Sequence, residues 1–201
     1  FVSRFLANGL IDEAVIEMRR LLDVLYPYAK RGIPIIGIEP SCLYTLRDEL
    51  KSLISNEKSE LVSKHAMTIE EFLADQIDLG KLSLELEAIK EKKALLHGHC
   101  HQKAFSSMGV TEKVLGLIPE LSVSSIESSC CGMAGAFGYE PKNQQVSLAM
   151  GELNLFPSIR KAEKDTLIVA DGTSCRHQID DGTGRSALHV VRVLERALKV
   201  N

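Results

Sequence analysis

Two adjacent cysteines, Cys130 and Cys131, open a glycine-rich stretch at the end of an apolar run. The stretch reads SSCCGMAGAFG over residues 128–138. Adjacent thiols form a disulfide only with a distorted backbone, whereas two thiolates can both bind one metal centre. Glycines beside them allow the backbone to approach such a centre closely, and they also suit a tight turn. The pair therefore favours metal binding.

Three histidines surround a further cysteine in the segment HGHCHQ, residues 97–102. His97, His99 and His101 alternate, and alternate residues of an extended segment share one face. Imidazoles on one face suit zinc, or the surroundings of a cluster bound by Cys100. For His97 we favour a hydrogen-bonded residue at a strand end over a metal ligand. The sequence does not contain the paired CxxC spacing of a zinc ribbon.

Hydrophobic patterning indicates which elements position these groups. Short apolar runs alternate with amphipathic helical patterns, which predicts an α/β fold with parallel strands flanked by helices. Each cysteine follows one of these runs, at or before the start of a helix: Cys42 after 33–38, Cys100 after 94–97, Cys130 and Cys131 after 122–127, and Cys175 after 166–170. The carboxyl ends of parallel strands meet at one sheet edge, where helix N-termini favour thiolates. We therefore expect cysteines that are distant in sequence to converge in space.

The remaining segments complete the expected fold. A helical pattern runs over residues 10–25, and TIEE at 68–71 has the form of a capping box that starts a short helix. The alternation in KLSLELEAI predicts a strand over 81–89. A final helix is expected over 186–198.

Two segments of the chain resemble each other. Residues 21–42 and 151–175 each contain a helical pattern, a proline, a basic segment, an apolar strand and then Ser-Cys. This repeat predicts two similar α/β halves, of which the first lacks its beginning. Because the chain begins with Phe1 rather than Met, we also expect the natural polypeptide to extend upstream.

Composition and charge argue against several classes of protein. The 201 residues carry a formal net charge of −3, which does not suit nucleic acid or an anionic membrane surface. No apolar run approaches the roughly 20 residues that span a bilayer. GMAGAFG at 132–138 does not match GxGxxG, so a nucleotide site is not favoured. Five cysteines, an odd number, do not suit a disulfide framework. We expect a reducing, cytoplasmic location, with the inner face of the membrane included.

Four motifs together resemble the cysteine-rich CCG domain family: EPSCLYTLRDEL, LLHGHCHQKA, SSCCGMAGAFGYE and VADGTSCRHQI. That family includes the heterodisulfide reductase B subunit and the iron–sulfur subunits of glycolate, lactate and anaerobic glycerol-3-phosphate oxidation. The chain is similar in particular to the C-terminal region of bacterial proteins that fuse an FAD-linked oxidase, a ferredoxin-like segment and a CCG region. The matches run over nearly the whole chain.

The resemblance implies an iron–sulfur cluster, most simply [4Fe–4S], and two CCG-like halves. Residues 1–80 would be the C-terminal part of the first half, and 81–201 the complete second half. The implied ligands are Cys100, Cys130, Cys131 and Cys175, with Gly132, Gly135, His99, His101 and Gln178 beside the cluster. Gln178 stands where the family has its final cysteine. The cluster is therefore simpler here, or Cys42 or a non-cysteine group completes it. Cys42 also resembles the last ligand of a first copy.

The function that the resemblance implies is electron transfer within a flavin-dependent dehydrogenase of 2-hydroxy acids such as lactate, glycolate or 2-hydroxyglutarate. The partners would be ferredoxin-like and FAD-binding domains upstream on the same polypeptide, and an electron acceptor of unknown identity. FAD is expected only on the full-length protein, so the isolated chain should not turn over substrate. Two alternatives remain open: a structural zinc domain with the same four cysteines, and a thiol-nucleophile enzyme that uses Cys100 with His99 or His101.

Overall fold

The computed structural model describes residues 2–105 and 108–199. This part of the chain divides into two compact units, with the boundary between Phe72 and Leu73. The boundary thus falls earlier than the end of the expected first half at residue 80. Both units are α/β and their strands pair in parallel, as the alternating pattern predicts.

The first unit contains a two-stranded parallel sheet and its helices. Its elements are α1 (Val2–Ala7), α2 (Ile11–Ala29), β1 (Ile35–Gly37), α3 (Pro40–Arg47), α4 (Glu49–Leu53), α5 (Glu57–His65), β2 (Ala66–Thr68) and the start of α6 (Ile69–Asp78). The apolar face of α2 carries Ala14, Met18 and Leu22 into the core, as its helical spacing requires. Leu50 and Val62, from α4 and α5, are fully buried in the same cluster.

The second unit is built on a four-stranded sheet. Its elements after α6 are β3 (Lys93–His97), α7 (Cys100–Phe105), α8 (Gly109–Leu115), β4 (Ser122–Ser125), α9 (Gln144–Leu153), α10 (Leu155–Lys161), β5 (Leu167–Ala170), α11 (Thr173–Thr183), β6 (Ala187–Leu188) and α12 (Val190–Ala197). Two 3₁₀ turns, Phe137–Tyr139 and Pro141–Asn143, precede α9. The strand order is β4-β3-β5-β6, and all neighbours are parallel.

Strands β3 and β5 are the two central strands of this sheet. Leu96 of β3 lies opposite Ser125 of β4 on one side and Val169 of β5 on the other. All four residues of β5 are buried, which explains why its sequence is a continuous apolar run rather than an alternating one. Within residues 2–105 and 108–199, no helix combines the length and apolar character needed to cross a bilayer.

The capping box expected at the start of α6 is confirmed. Thr68 N donates to Glu71 Oε2 at 2.9 Å, and Glu71 N donates to Thr68 Oγ1 at 3.2 Å. Each side chain thus accepts a hydrogen bond from the backbone N–H group of the other residue, as a capping box requires.

The strand expected over 81–89 is wrong. Among the described residues, this segment forms only an isolated antiparallel bridge between Leu86 and Leu198. Glu87 N donates to Ala197 O at 2.8 Å, and Lys199 N donates to Glu85 O at 3.0 Å. The alternation of leucines indicates which face of a segment is turned toward the protein, but it does not indicate whether another strand is available for pairing.

The final helix begins later than expected. Residues 187–188 form β6, and α12 starts at Val190 after the N-cap residue His189, whose Nδ1 accepts from Val191 N at 3.1 Å. The short apolar run before the cap is thus the edge strand of the sheet.

Replacing Leu96 tests the central position of β3. Leu96 is fully buried, so Leu96→Ala should lower the free energy of unfolding by about 2–5 kcal/mol. Leu153, at the end of α9, is 70% exposed, and Leu153→Ala should change it by no more than about 0.5 kcal/mol. Urea denaturation followed by circular dichroism measures both. Similar losses for the two variants would contradict the proposed core.

Candidate metal centre

Four of the five cysteines lie at the carboxyl edge of the second unit's sheet. Cys100 is the first residue of α7, which follows β3. Cys130 and Cys131 lie in the loop after β4, and Cys175 lies in the first turn of α11, after β5. The β3–β4 ladder continues to this edge, because Ile126 N donates to Leu96 O at 2.8 Å. The parallel topology therefore delivers all four thiols to one place.

The four thiols form a row. Three successive pairs, Cys100 with Cys130, Cys130 with Cys131, and Cys131 with Cys175, are close enough for each member to shift the pKa of the other. Cys131 and Cys175 are 4% and 2% exposed, whereas Cys100 and Cys130 are only partly buried. The row therefore runs from a half-exposed end at Cys100 to a buried end at Cys175. All five cysteines of the chain are free thiols.

The thiols along the row differ in acidity. Hydrogen bonds from Cys100 and Cys131 hold the pKa of Cys130 far below its usual range. A hydrogen bond from Cys131 likewise lowers the pKa of Cys175. The two donor thiols show the opposite shift. The bond with Cys130 raises the pKa of Cys100. The pKa of Cys131 is raised by its bonds with Cys130 and with Cys175. The direction of the pKa shift therefore alternates along the row: it is upward at Cys100 and Cys131 and downward at Cys130 and Cys175.

Backbone N–H groups also point at the sulfurs. Gly132 N donates to Cys130 Sγ at 3.3 Å, and Ala134 N stabilises the same thiolate. The N–H group of Met133 favours the thiolate form of Cys131 in the same way, and the N–H group of His101 favours that of Cys100. Successive N–H groups that converge in this way form a nest for negative charge. These N–H groups therefore favour the thiolate form of each sulfur that they reach.

Gly132 is required where the loop packs against α9. Its φ is +100°, and a Cβ there would lie 2.1 Å from Ser147 O and 3.0 Å from Gln178 Nε2. Gln178 Nε2 donates to Ser147 O at 3.1 Å and to Ser147 Oγ at 2.9 Å. Gln178 therefore fixes α9, which supports the loop. Gly135 also has a positive φ, of +68°, but a Cβ there would meet nothing within 4 Å among the described atoms.

Lys103 attaches the loop to α7. Its Nζ donates to Ser128 O and to Ser129 O, the two carbonyls that precede the cysteine pair. Burial lowers the pKa of Lys103, whereas the nearby cysteines raise it. Lys103 is therefore a cation held close to the thiols. Sequence reasoning missed it, although its place one helical turn after Cys100 was a usable signal.

The three histidines of the HGHCHQ segment occupy different positions. His97, 1% exposed, has a ring nitrogen within 4.8 Å of the Cys131 and Cys175 sulfurs, which lie equally close to each other. His99 is buried, and its charge favours the Cys175 thiolate. His101 packs edge-on against His99 at 5.3 Å between ring centroids. His97 is hydrogen-bonded at the end of its strand, as expected, with Nδ1 3.0 Å from Ser128 Oγ, but it also lies against the two buried thiols.

Cys42 belongs to the first unit. It is exposed in the first turn of α3, after β1. It is the third residue of its helix, as Cys175 is the third residue of α11. The two segments that resemble each other in sequence therefore also share this local arrangement.

The donor set suits a soft metal. Thiolate and imidazole are ligands of zinc and of iron–sulfur clusters, whereas magnesium and calcium prefer oxygen. Two observations favour such a group: the buried Nε2 of His97 has no hydrogen-bond partner among the described residues, and N–H groups converge on the sulfurs. The residue types therefore fit a cluster or a zinc ion, and the ligand atoms of His97, Cys131 and Cys175 already lie within 4.8 Å of one another.

Curated relatives of the chain are dehydrogenases or parts of them. One is a subunit of the anaerobic glycerol-3-phosphate dehydrogenase of Escherichia coli K12, 29% identical over 194 residues, with 96% of this chain and 48% of that protein covered. The D-2-hydroxyglutarate dehydrogenase of Escherichia coli K12 is 25% identical over 194 residues, with 96% and 18% covered. The D-2-hydroxyglutarate dehydrogenase of Haemophilus influenzae is 29% identical over 178 residues, with 85% and 17% covered.

The chain thus spans about half the length of the first relative and less than a fifth of the other two. No protein-family model and no solved structure matches it.

Two glycine variants test the packing of the cysteine loop. Gly135→Ala meets only the strain of a positive φ, which should cost about 1–2 kcal/mol in unfolding free energy. Gly132→Ala meets that strain and a clash with Ser147 O, so it should cost distinctly more. Urea denaturation of the metal-free variants measures the difference. An equal loss for both would show that the loop does not pack closely on α9.

The lowered pKa of Cys130 predicts its reactivity. Below its pKa, an ordinary thiol alkylates about tenfold faster for each added pH unit, because only the thiolate reacts. Because the neighbouring thiols lower the pKa of Cys130, we expect its alkylation rate in metal-free protein to depend only weakly on pH between 6 and 8. Iodoacetamide labelling with peptide mass spectrometry measures it. Cys100→Ala removes the main donor to Cys130 and should restore a pH dependence, whereas a steep wild-type profile would contradict the arrangement.

Proposed function

We propose that the chain is a CCG-type module that holds an iron–sulfur cluster and transfers electrons within a flavin-dependent dehydrogenase. The observation that carries this proposal is the row of four cysteine sulfurs at one sheet edge, with backbone N–H groups directed at them. Such a set of four thiolates suffices for a cubane [4Fe–4S] cluster. Cys100, Cys130, Cys131 and Cys175 would be its ligands.

The relatives support the dehydrogenase part of the proposal. Their names describe oxidation of glycerol 3-phosphate or D-2-hydroxyglutarate, and they match the chain along most of its length. Both reactions remove two electrons from a carbon that bears a hydroxyl group. A 2-hydroxy acid or a comparable alcohol is therefore the substrate class that we propose for the whole enzyme.

A bound iron–sulfur cluster supplies one-electron transfer. Oxidation of an alcohol carbon releases a hydride equivalent, which a flavin or nicotinamide normally accepts. The catalytic flavin would therefore lie on an FAD-binding domain of the same polypeptide, with a ferredoxin-like segment between it and this module. The residues of this chain would hold the cluster at the sheet edge and exclude water from its inner side.

The repeat supports a second, separate site in the first unit. Cys42 occupies the same position after β1 and in α3 as Cys175 occupies after β5 and in α11. We propose that residues 1–80 and 81–201 descend from the same CCG-like half. Cys42 would then serve the first half and not the cluster of the second.

Iron content in cysteine variants tests the proposal. After anaerobic reconstitution with Fe²⁺ and sulfide, the wild-type chain should be brown and reducible by dithionite. Cys130→Ser and Cys131→Ser should lose most of the iron per chain, because each removes one of four thiolates. Cys42→Ser is the matched control and should retain it. None of the four proteins should oxidise a 2-hydroxy acid.

Two outcomes would contradict the proposal. Equal iron in all four proteins would mean that the cysteine row does not bind the cluster. A colourless protein with one zinc per chain, lost in Cys130→Ser and Cys131→Ser, would favour a structural zinc site at the same residues.

A further inference from the structure

His97 extends the row of sulfurs at its buried end. One of its ring nitrogens and the sulfurs of Cys131 and Cys175 all lie within 4.8 Å of one another. All three side chains are at least nine-tenths buried. Cys100 and Cys130 lie further along the row, toward the half-exposed end. Five potential ligands therefore follow one another, and the fifth is an imidazole.

The His97 ring is held in one orientation. Its Nδ1 lies 3.0 Å from Ser128 Oγ, and the carbonyl of the same Ser128 accepts from Lys103 Nζ. The other ring nitrogen, Nε2, is buried and has no hydrogen-bond partner within the described part of the chain. Metal-binding histidines typically show this division, with one nitrogen fixed by a hydrogen bond and the other free for the metal.

A purely structural role for His97 does not explain why its buried Nε2 has no hydrogen-bond partner among the described residues. A buried polar atom without a partner costs about 1–3 kcal/mol, so such atoms are rare unless a water, an ion or a ligand satisfies them. A hydrogen bond from Nε2–H to the Cys175 thiolate would be one solution, and a hydrogen bond with His97 is among the causes that lower the pKa of that thiol. However, neither Cys131 nor Cys175 meets Nε2 with normal hydrogen-bond geometry.

Gln178 shows that a centre with five ligands rather than four would take its fifth from outside α11. It lies one turn after Cys175 on α11, where a Cys-x-x-Cys pair would place a second thiolate. Its Nε2 donates two hydrogen bonds to Ser147, so its side chain is committed to supporting α9. We propose that His97 Nε2 is a ligand of the metal centre, together with Cys100, Cys130, Cys131 and Cys175. This inference rests on the proposed function.

Isotope labelling tests His97 without any turnover. The wild-type chain is labelled with ¹⁵N-histidine, reconstituted anaerobically, reduced, and studied by electron–nuclear double resonance. A ligating Nε2 should give a strongly coupled ¹⁵N signal. His97→Ala should lose that signal and most of the iron. His97→Cys replaces imidazole with thiolate, so it should regain iron without the signal, and its cluster should have a lower reduction potential.

Two further variants separate binding from positioning. Ser128→Ala removes the partner of Nδ1 and should weaken metal affinity by about 10- to 100-fold while the strong ¹⁵N coupling persists. If His97 only positioned Ser128, His97→Ala and Ser128→Ala would behave alike. His65→Gln is the control: its Nδ1 lies 2.9 Å from Leu61 O in the first unit, and it should keep both iron and signal.

The outcomes distinguish the two proposals. A wild-type cluster without strong ¹⁵N coupling, or with full iron in His97→Ala, overturns the role of His97 and leaves the electron-transfer function standing. If the wild type takes no cluster, the proposed function fails, and Co²⁺ then tests His97 alone. Co²⁺ binding that is weakened in His97→Ala and restored in His97→Cys supports the ligand. Equal binding in all three, or no binding, overturns it.

Discussion

Repulsion between neighbouring thiolates is the constraint on which this site depends. Two unit negative charges about 4 Å apart repel by about 4 kcal/mol at an effective dielectric constant of about 20. The pKa of Cys130 is lowered by Cys100 and then by Cys131, and that of Cys175 by Cys131, whereas the same contacts raise the pKa of Cys100 and Cys131. Full ionisation of the row therefore requires positive charge at the sulfurs, which is what a metal centre provides.

The residues around the sulfurs supply part of that positive charge, and they also hold the cysteine loop in position. Gly132 N, Ala134 N and the ammonium group of Lys103 approach the sulfurs from the protein side. Lys103 also fixes the two carbonyls before the cysteine pair, and Gln178 fixes the helix beneath it. The same groups that stabilise thiolates thus also hold the loop in place.

Much of this arrangement could be predicted from the sequence, because parallel topology follows from local patterns. Apolar runs that end in cysteines were sufficient to place Cys100, Cys131 and Cys175 at one sheet edge. The strand expected over 81–89 is wrong because alternation does not reveal whether a partner strand exists. The contact of His97 with the buried thiols could not be predicted either. It depends on the register of β3 against β5, in which His97 lies opposite Ala170, and on a loop conformation that brings Ser128 to the ring.

Burial along the row explains why its inner end would suit an imidazole better than another thiolate. A negative charge costs most where water is excluded, and Cys131 and Cys175 are already almost inaccessible. A third thiolate at that end would add charge with little solvent to screen it, and Lys103 is the cation that the structure places near these sulfurs. A neutral imidazole binds metal without that cost. Water can screen the remaining charge at the partly exposed end of the row, at Cys100 and Cys130. The change in burial along the row therefore favours an imidazole at the inner end and thiolates at the outer end.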